Sequence, residues 1–334
     1  MYSSSTVEID SKWDELLKTM PGWNVFQLSD WLRLYVSSYF SGATIRGVLL
    51  HEGTELIGMT PVVMWKKFGF SMAGSPLRHA LTPYMGIACK RNPEACVSAF
   101  AQYCSAQGVR MATLTLSFFL PDTVVTHNHF RVKTRMTSVI DLSEDLDTIL
   151  KKMDGKTRNQ LRQGEKNGLE VSFDIDDKSV NQYLGLRSRL YTLQGMDQST
   201  SSTLMESFFS SFPKEYYALF SVKYEGAMIA AAVLLKYAET CLYWDGVSDA
   251  QFNRLRPNNV LQWQVIKWAK ASGIHWYDLG GTNTPSIAHF KKGFGGIEKT
   301  YTSVEMFSPA FLGSVWKVFE KLRARKNPRL KGAM

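Results

Sequence analysis

The chain has 334 residues, of which 45% are hydrophobic and 21% are charged, and its formal net charge is +9. This composition is typical of a globular protein with one large domain or two medium ones. The sequence contains no run of about 18 apolar residues, which excludes a transmembrane helix. Its polar N-terminus lacks the pattern of a signal peptide. The four cysteines have no metal-ligand spacing and are expected to be reduced thiols in a cytoplasmic protein.

The positive charge indicates an anionic partner, such as a nucleotide, tRNA, a phosphorylated precursor or a membrane surface. A mildly basic protein that binds nothing acidic is the alternative. Charge by itself does not separate these two interpretations, so the position of the charges along the chain matters more.

The first half of the chain predicts a hairpin, a helix and a strand in that order. A glycine-containing turn at 52–58 lies between two apolar runs, as in a β-hairpin. Further along, a helix ends at Gly108, and the apolar strand Met111–Leu116 follows it.

The second half repeats this order at an offset of about 170 residues. A similar turn lies at 225–230, a helix ends at Gly273, and the strand His275–Leu279 follows. Because the same succession occurs twice, duplication explains the pattern better than chance. The closer pattern of the second half adds a helix over 156–167, a meander of three strands and a helix with Asn258 as its N-cap.

These elements predict an α/β (α+β) protein with mixed β-sheets in two tandem domains, 1–148 and 149–308. A basic amphipathic C-terminal helix and tail, 309–334, follows them. Its apolar residues recur at helical spacing and its remaining positions are rich in Lys and Arg. It is either a peripheral membrane or RNA contact, or a helix packed on the body with a solvated basic tail.

A basic stripe is predicted on the helix at 156–167. Arg158, Arg162 and Lys166 are spaced at i, i+4 and i+8, so they lie on one helix face. Three cations in a row suit the phosphates of a nucleotide or of an RNA backbone. A solvated basic face is the alternative.

Two glycine-containing segments follow near the end of the second half. The strand at 275–279 carries Asp278 and ends in Gly280 and Gly281, where a bare backbone allows a substrate to approach closely. Asp278 either orients an amine or caps the next turn.

Ten residues after this glycine turn, Lys291 follows Phe290 beside a glycine-rich loop. A lysine held in this way can place a cation where a tetrahedral oxyanion or a donor phosphate develops charge.

The segments Lys156–Arg162, Arg256–Leu261, Tyr277–Gly281 and Phe290–Gly296, taken together, resemble the Fem family of peptidyl aminoacyltransferases and the related BioF2-like acetyltransferases of the GNAT superfamily. The resemblance extends over 151–299 and is diffuse before residue 150. It implies two GNAT-like domains. It also implies transfer of an aminoacyl group from aminoacyl-tRNA to an amine of a peptide or cell-envelope precursor of the peptidoglycan type.

The resemblance also implies roles for individual residues. Lys291 would be the catalytic or donor-binding lysine, and Tyr243 would line the substrate channel, with simple packing as the alternative for Tyr243. Asp278 and Tyr243 would position the acceptor. The candidate catalytic residues are Lys291, Asp278 and Tyr243, and the candidate substrate-binding residues are Arg158, Arg162, Lys166, Tyr191, Arg256, Asn258, Gly280, Gly281 and Phe290.

The sequence departs from the family pattern at two places. Arg256 and Asn258 precede a helix N-terminus, where GNAT enzymes bind the pyrophosphate of coenzyme A on a glycine-rich loop. Coenzyme A binding in the usual way is therefore not expected. Gln194 stands where peptidoglycan-type members have an arginine, and Arg187 or Arg189, one turn earlier, could substitute for it.

Two other functions remain open at this point. One is an acyl-CoA-dependent N-acetyltransferase acting on a sugar or exopolysaccharide precursor, and the other is a non-catalytic RNA- or membrane-binding module. No metal is expected, because His127 and His129 lack a third ligand. No cofactor is expected beyond the co-substrate, aminoacyl-tRNA or acyl-CoA. The expected location is the cytoplasm, with the inner face of the membrane as an alternative through 309–331.

Overall fold

The computed structural model describes residues 2–317 with the exception of 68, 78, 80, 121–129, 174, 194, 196–198, 283, 284 and 315. His127, His129, Gln194 and the basic tail beyond Lys317 lie outside the described residues. Of the predicted C-terminal helix, residues 312–314 and 316–317 are described and helical. None of the helices in the described ranges is long and apolar enough to span a bilayer.

The helices are α1 (Ser11–Lys18), α2 (Ser29–Tyr39), α3 (Pro93–Ala106), α4 (Leu146–Lys152), α5 (Gly155–Glu165), α6 (Asp177–Leu193), α7 (Ser199–Ser211), α8 (Pro257–Ala271) and α9 (Pro285–Gly293). The strands are β1 (Tyr2–Val7), β2 (Thr44–Glu52), β3 (Glu55–Lys67), β4 (Phe70–Ser75), β5 (Ala88–Cys89), β6 (Met111–Thr115), β7 (Phe130–Asp141), β8 (Glu170–Phe173), β9 (Tyr217–Tyr224), β10 (Ala227–Tyr237), β11 (Thr240–Ser248), β12 (Trp276–Gly281) and β13 (Ile297–Phe307).

The first compact unit comprises 1–136 and 300–334. Its strands are ordered β1-β2-β3-β4-β6-β13, and β5 pairs with β3. The pair β4–β6 is parallel and the other pairs are antiparallel. Helix α3 places its buried side, including Cys96 and Phe100, in a core shared with Val48 and Leu114. Burial of this apolar surface is the main source of stability of the unit.

The second compact unit comprises 137–299. Its order is β8-β9-β10-β11-β12-β7, where β7 contributes residues 137–141. The pair β11–β12 is parallel and the others are antiparallel. Helix α8 buries Leu261 and Val265 against Leu234 and Tyr277 in the core of the sheet.

The two units have the same strand order and the same single parallel pair, so the predicted repeat and the mixed-sheet α/β class are confirmed. The hairpin turns at Gly53 and Gly226 occupy equivalent places, between β2 and β3 and between β9 and β10. In each unit, one strand comes from the other half of the sequence. In the first unit β13 lies beside β6, and in the second unit β7 lies beside β12. For this reason the compact units do not end at the predicted domain boundaries, which followed residues 148 and 308. Periodicity does not reveal which sheet a strand joins.

The predicted N-cap of α8 is wrong. The helix begins at Pro257, and its N-cap is Arg256, at φ +62° and without a side-chain capping bond. Asn258 therefore lies within the first turn. Proline is favoured at the first helical position because its fixed φ suits the helix and its missing N–H has no helical partner there.

Helices α5 and α8 pack closely through Gly164. A Cβ atom added at Gly164 would lie 2.5 Å from Val260 Cγ2 and 3.2 Å from the backbone oxygen of Arg256. Because Arg256 O is backbone and Val260 is buried, neither neighbour can move away easily. A glycine in this helix is therefore required by packing.

We expect Gly164→Ala to lower the free energy of unfolding by about 1–3 kcal/mol through overpacking. Gly185, in α6, is the matched control, because a Cβ atom added there meets nothing within 4 Å. Gly185→Ala should raise the free energy of unfolding by about 0.5–1 kcal/mol, since alanine favours helix. Urea denaturation measures both values. Stabilisation of both variants would contradict the packing argument.

Candidate active site

The parallel pair of the second unit opens at the carboxyl ends of its strands. Strands β11 and β12 pair only over Thr240–Leu242 and Trp276–Asp278, although β11 continues to Ser248. On its other side, β11 has a bulge, because Tyr243 and Asp245 face the consecutive residues 234 and 233 of β10. A bulge re-aims side chains, and carboxyl ends of parallel strands are where α/β sheets bind ligands.

Asp278 holds the glycine turn at the end of β12. Its side chain is fully buried. Oδ1 accepts a hydrogen bond from Gly280 N at 2.7 Å and another from Thr137 Oγ1 on β7. Of the two roles that the sequence allowed for Asp278, this geometry corresponds to the cap of the turn.

Lys291 reaches the same turn from α9. Its Nζ donates to the carbonyl oxygen of Gly281 at 2.7 Å. Gly280 has φ +78°, and a Cβ atom there would lie 3.3 Å from Tyr243 O and 3.5 Å from Lys291 Nζ. The structure therefore brings four predicted residues together, namely Tyr243, Gly280, Gly281 and Lys291. Burial lowers the pKa of Lys291 to about 8, although the Asp278 carboxylate opposes the shift.

The glycine-rich segment after Lys291 is fixed against the start of α5. A Cβ atom at Gly293 would overlap Thr157 Oγ1, and the Gly293 carbonyl accepts from Asp154 N at 2.9 Å. Phe290 packs edge-to-face on the buried Phe294, with ring centroids 5.1 Å apart. Helix α9, and with it Lys291, is therefore anchored by contacts that the sequence motif encodes.

Tyr243 is packed into the sheet beside the turn. A Cβ atom on Gly246 would overlap the Tyr243 hydroxyl, so the absence of a side chain at Gly246 leaves the space that the phenol fills. Burial raises the pKa of Tyr243 above its ordinary value, and Asp245 adds to the shift.

Asp245, which was not among the residues predicted from the sequence, is the centre of a buried polar cluster. Its Oδ2 accepts from Arg187 Nε at 3.1 Å and from Tyr183 Oη, and its Oδ1 accepts from Tyr191 Oη at 3.3 Å. The Arg187 guanidinium lies 4.2 Å from the Tyr191 ring centre. Burial, followed by the charge of Asp245, raises the pKa of Tyr191 to about 12.

This cluster bears on the arginine of the family pattern, in whose place this chain has Gln194. Arg187 is 2% exposed and paired with Asp245, and Arg189 is paired with Asp249 at 2.9 Å. The Arg187 guanidinium is therefore buried in an ion pair with Asp245 and is not available at the surface of the unit. The signal available in the sequence was an aspartate within an otherwise apolar strand, since buried carboxylates require a partner.

The basic stripe on α5 divides into two parts. Arg158 donates to the carbonyl oxygens of Lys151, at 2.9 Å, and of Met153, so it caps the end of α4. Arg162 and Lys166 are exposed. At the start of α8, Arg256 Nε is buried and has no hydrogen-bond partner among the described residues.

Within the described ranges, no three His, Cys, Asp or Glu side chains are grouped so as to hold a metal ion. The four cysteines are buried free thiols.

The lowered pKa of Lys291 is open to direct measurement. Nitrogen-15 NMR titration of lysine Nζ should show an amine that loses its charge as the pH rises through about 8, below the ordinary lysine pKa of about 10.4. That resonance should be absent from Lys291→Met and present in Lys292→Met. Titration of every lysine near the ordinary value would show that Lys291 is not desolvated.

Residues 151–292 match a family described as an acetyltransferase (GNAT) domain. The chain is 23% identical over 164 residues to the UDP-N-acetylmuramoylpentapeptide-lysine N(6)-alanyltransferase of Weissella viridescens. The match takes in 47% of this chain and 47% of that protein, so it spans about half the length of the curated relative.

Two solved structures have a similar fold. The crystal structure of FemX has a TM-score of 0.67 at 15% identity, over 89% of this chain and 96% of that one. A tandem GNAT protein from the clavulanic acid biosynthesis pathway has a TM-score of 0.53 at 8% identity, over 92% of this chain and 98% of that one.

Strand order and structural similarity show a fold of two tandem GNAT-like units, and residues 151–292, within the second unit, match the GNAT family. The resemblance to the Fem family predicted from the sequence agrees with these findings: the curated relative is an alanyltransferase of this type, and the FemX structure has the same fold.

Proposed function

We propose that this protein transfers an acyl group, specifically an aminoacyl group, from an activated ester to an amine. The observation that supports the proposal most strongly is the ammonium of Lys291, held 2.7 Å from the Gly281 carbonyl at the open end of β11 and β12. A preorganised cation in a partly desolvated cleft stabilises negative charge that develops on an ester carbonyl. Catalysis by such a group needs no metal and no cofactor.

The reaction is a direct displacement. The amine nitrogen attacks the ester carbonyl carbon, a C–N bond forms, and the carbonyl oxygen becomes an oxyanion beside Lys291. Collapse of the tetrahedral species breaks the ester C–O bond, and the leaving alkoxide takes the proton that the amine gives up. Holding the two substrates together supplies much of the acceleration, so a covalent enzyme intermediate is unnecessary.

Two features favour aminoacyl-tRNA as the donor. Arg162 and Lys166 are exposed on α5, whose first turn contacts the segment that carries Lys291, and the chain has a net charge of +9. Polyanionic RNA is attracted by such a surface. In addition, Pro257 removes one of the N–H groups with which the start of α8 would otherwise bind a pyrophosphate.

The acceptor proposed is an amine of a peptide or cell-envelope precursor of the peptidoglycan type. The name of the curated relative specifies alanyl transfer to a lysine of UDP-N-acetylmuramoylpentapeptide, which supports this substrate class. We also propose that the protein works in the cytoplasm and contacts the inner face of the membrane through 309–331. In that segment Phe311 and Lys317 are exposed.

Transfer from acyl-CoA is the second candidate function, favoured by the description of the matching family as an acetyltransferase domain.

Donor binding separates the two candidates. Because the start of α8 has Arg256 and Pro257 in place of a glycine-rich loop, we expect calorimetry to show weak or absent binding of acetyl-CoA. Incubation with labelled aminoacyl-tRNA should protect the ester or transfer its label to an amine acceptor. Tight stoichiometric binding of acetyl-CoA would make the acyl-CoA reaction the leading function.

Substitution of Lys291 tests the site. Lys291→Met keeps the stem and removes the cation, and we expect turnover to fall roughly a hundredfold or more. The melting temperature should change little, because loss of the hydrogen bond to the Gly281 carbonyl is offset by removal of the desolvated charge.

Lys292, one position further along α9, is exposed and provides the matched control. Lys292→Met should retain most of the turnover. Equal losses in the two variants, or unfolding of Lys291→Met, would show that the segment is structural and that the active site lies elsewhere.

A further inference from the structure

The first unit contains a cavity of about 420 Å³, within the range of about 300–1,000 Å³ that small-molecule sites occupy. Helix α3, strand β6 and the segment from the end of β13 to Ala310 contribute to its walls, together with Phe130 of β7. Gln102, Ser105 and Ser308 belong to the lining and are exposed, so solvent reaches the cavity. The residues of the candidate active site are not part of this lining.

Helix α3 gives the cavity a polar, uncharged wall. Ser98, Gln102 and Ser105 are spaced at i, i+4 and i+7, so they lie on one face of the helix. Ser308 adds a further hydroxyl from the segment after β13. Within the described part of the chain, none of these four side chains makes a hydrogen bond to another residue. Their donors and acceptors are therefore available to a ligand.

The strands give the cavity an apolar wall with two aromatic rings. Phe130 and Phe307 supply the rings, and Met306 adds aliphatic surface. The described lining carries no charged side chain, since Arg131 and Lys317 line a separate space of about 180 Å³ beside it. An uncharged occupant is therefore favoured, because an ion would lose water without gaining a counter-charge from the lining.

We propose that this cavity binds an uncharged sugar in its pyranose form. The hydroxyls of a pyranose can bond to serine and glutamine side chains, and its C–H bonds can pack against the electron-rich face of an aromatic ring. Free polar groups from α3 and aromatic rings from β7 and β13 match both properties. An acyl chain would displace water from the four polar side chains without replacing its hydrogen bonds. The inference goes beyond the acyl-transfer reaction and does not depend on it.

Methyl NMR of the full-length protein tests the site. Titration with N-acetylglucosamine or with glucose should shift the methyl resonances of Ala101, Ala112 and Met306, which line the cavity. The methyl group of Ala232, in the core of the second unit, should not respond. Octanol is the apolar probe. A response of the cavity methyl groups to octanol but to neither sugar, or no response to any of the three probes, would overturn the proposal.

A substitution in the polar wall tests the hydrogen bonds. Gln102→Leu should weaken sugar binding about fivefold, as expected for the loss of one hydrogen bond. Gln107, the C-cap of α3, is exposed and does not line the cavity, so Gln107→Leu is the matched control and should leave the affinity unchanged. Equal losses of affinity in the two variants would show that the polar wall does not contact the sugar.

Filling the cavity is a second, independent test. Ala101→Phe places a ring in the cavity and should abolish the shifts that the sugars cause, whereas Ala106→Phe, at an exposed position of the same helix outside the lining, should preserve them. Unchanged sugar binding by Ala101→Phe would place the sugar elsewhere. Turnover reports separately on the acyl-transfer reaction, which Gln102→Leu should leave unchanged. Failure of sugar binding with normal turnover would therefore overturn this inference alone.

Discussion

The carboxylate of Asp278 is the contact on which the geometry of the second unit depends. It is fully buried, and one of its oxygens joins the Thr137 hydroxyl of β7 to the backbone N–H of Gly280. The end of β12 is therefore fixed with the Gly281 carbonyl available to Lys291. A buried carboxylate with these partners is stabilising, whereas the same carboxylate without them would be very costly. Loss of Asp278 would release the turn that presents the Gly281 carbonyl to Lys291.

For the ammonium of Lys291, unlike the carboxylate of Asp278, burial is unfavourable. Burial lowers its pKa to about 8, which leaves the residue charged at neutral pH at an energetic cost. The surrounding contacts hold the residue despite that cost. Gly293 and Phe294 fix α9 against α5 and the core. Sites that stabilise developing charge commonly require such unfavourable burial, because a dry cation acts more strongly than a hydrated one.

The two units share a fold but differ in the features that they carry. Both have one parallel pair within an otherwise antiparallel sheet, but the lysine, the glycine turn and the Asp245 cluster belong to the second. The first unit instead has a cavity of about 420 Å³ that is lined by uncharged residues, among them residues of α3, β6 and the end of β13, together with Phe130 of β7. Two copies of one fold can thus carry different sites, since function is built from side chains on a shared scaffold.

The sequence determined the elements and part of the site. Periodicity and glycine stops gave most helices and strands of the second half, because these signals are local. The segments around Asp278 and Lys291 were recognisable by their glycines, which permit close backbone approach, and by their resemblance to the Fem family. Only the tertiary structure decided that Arg158 caps α4, that Arg187 pairs with Asp245, and that β7 and β13 join sheets formed by the other half. The cap by Arg158 depends on how α5 turns back on the end of α4. The other two features depend on which side chains or strands meet across long sequence separations, and hydrophobic patterning sets the face of an element but leaves its partner open.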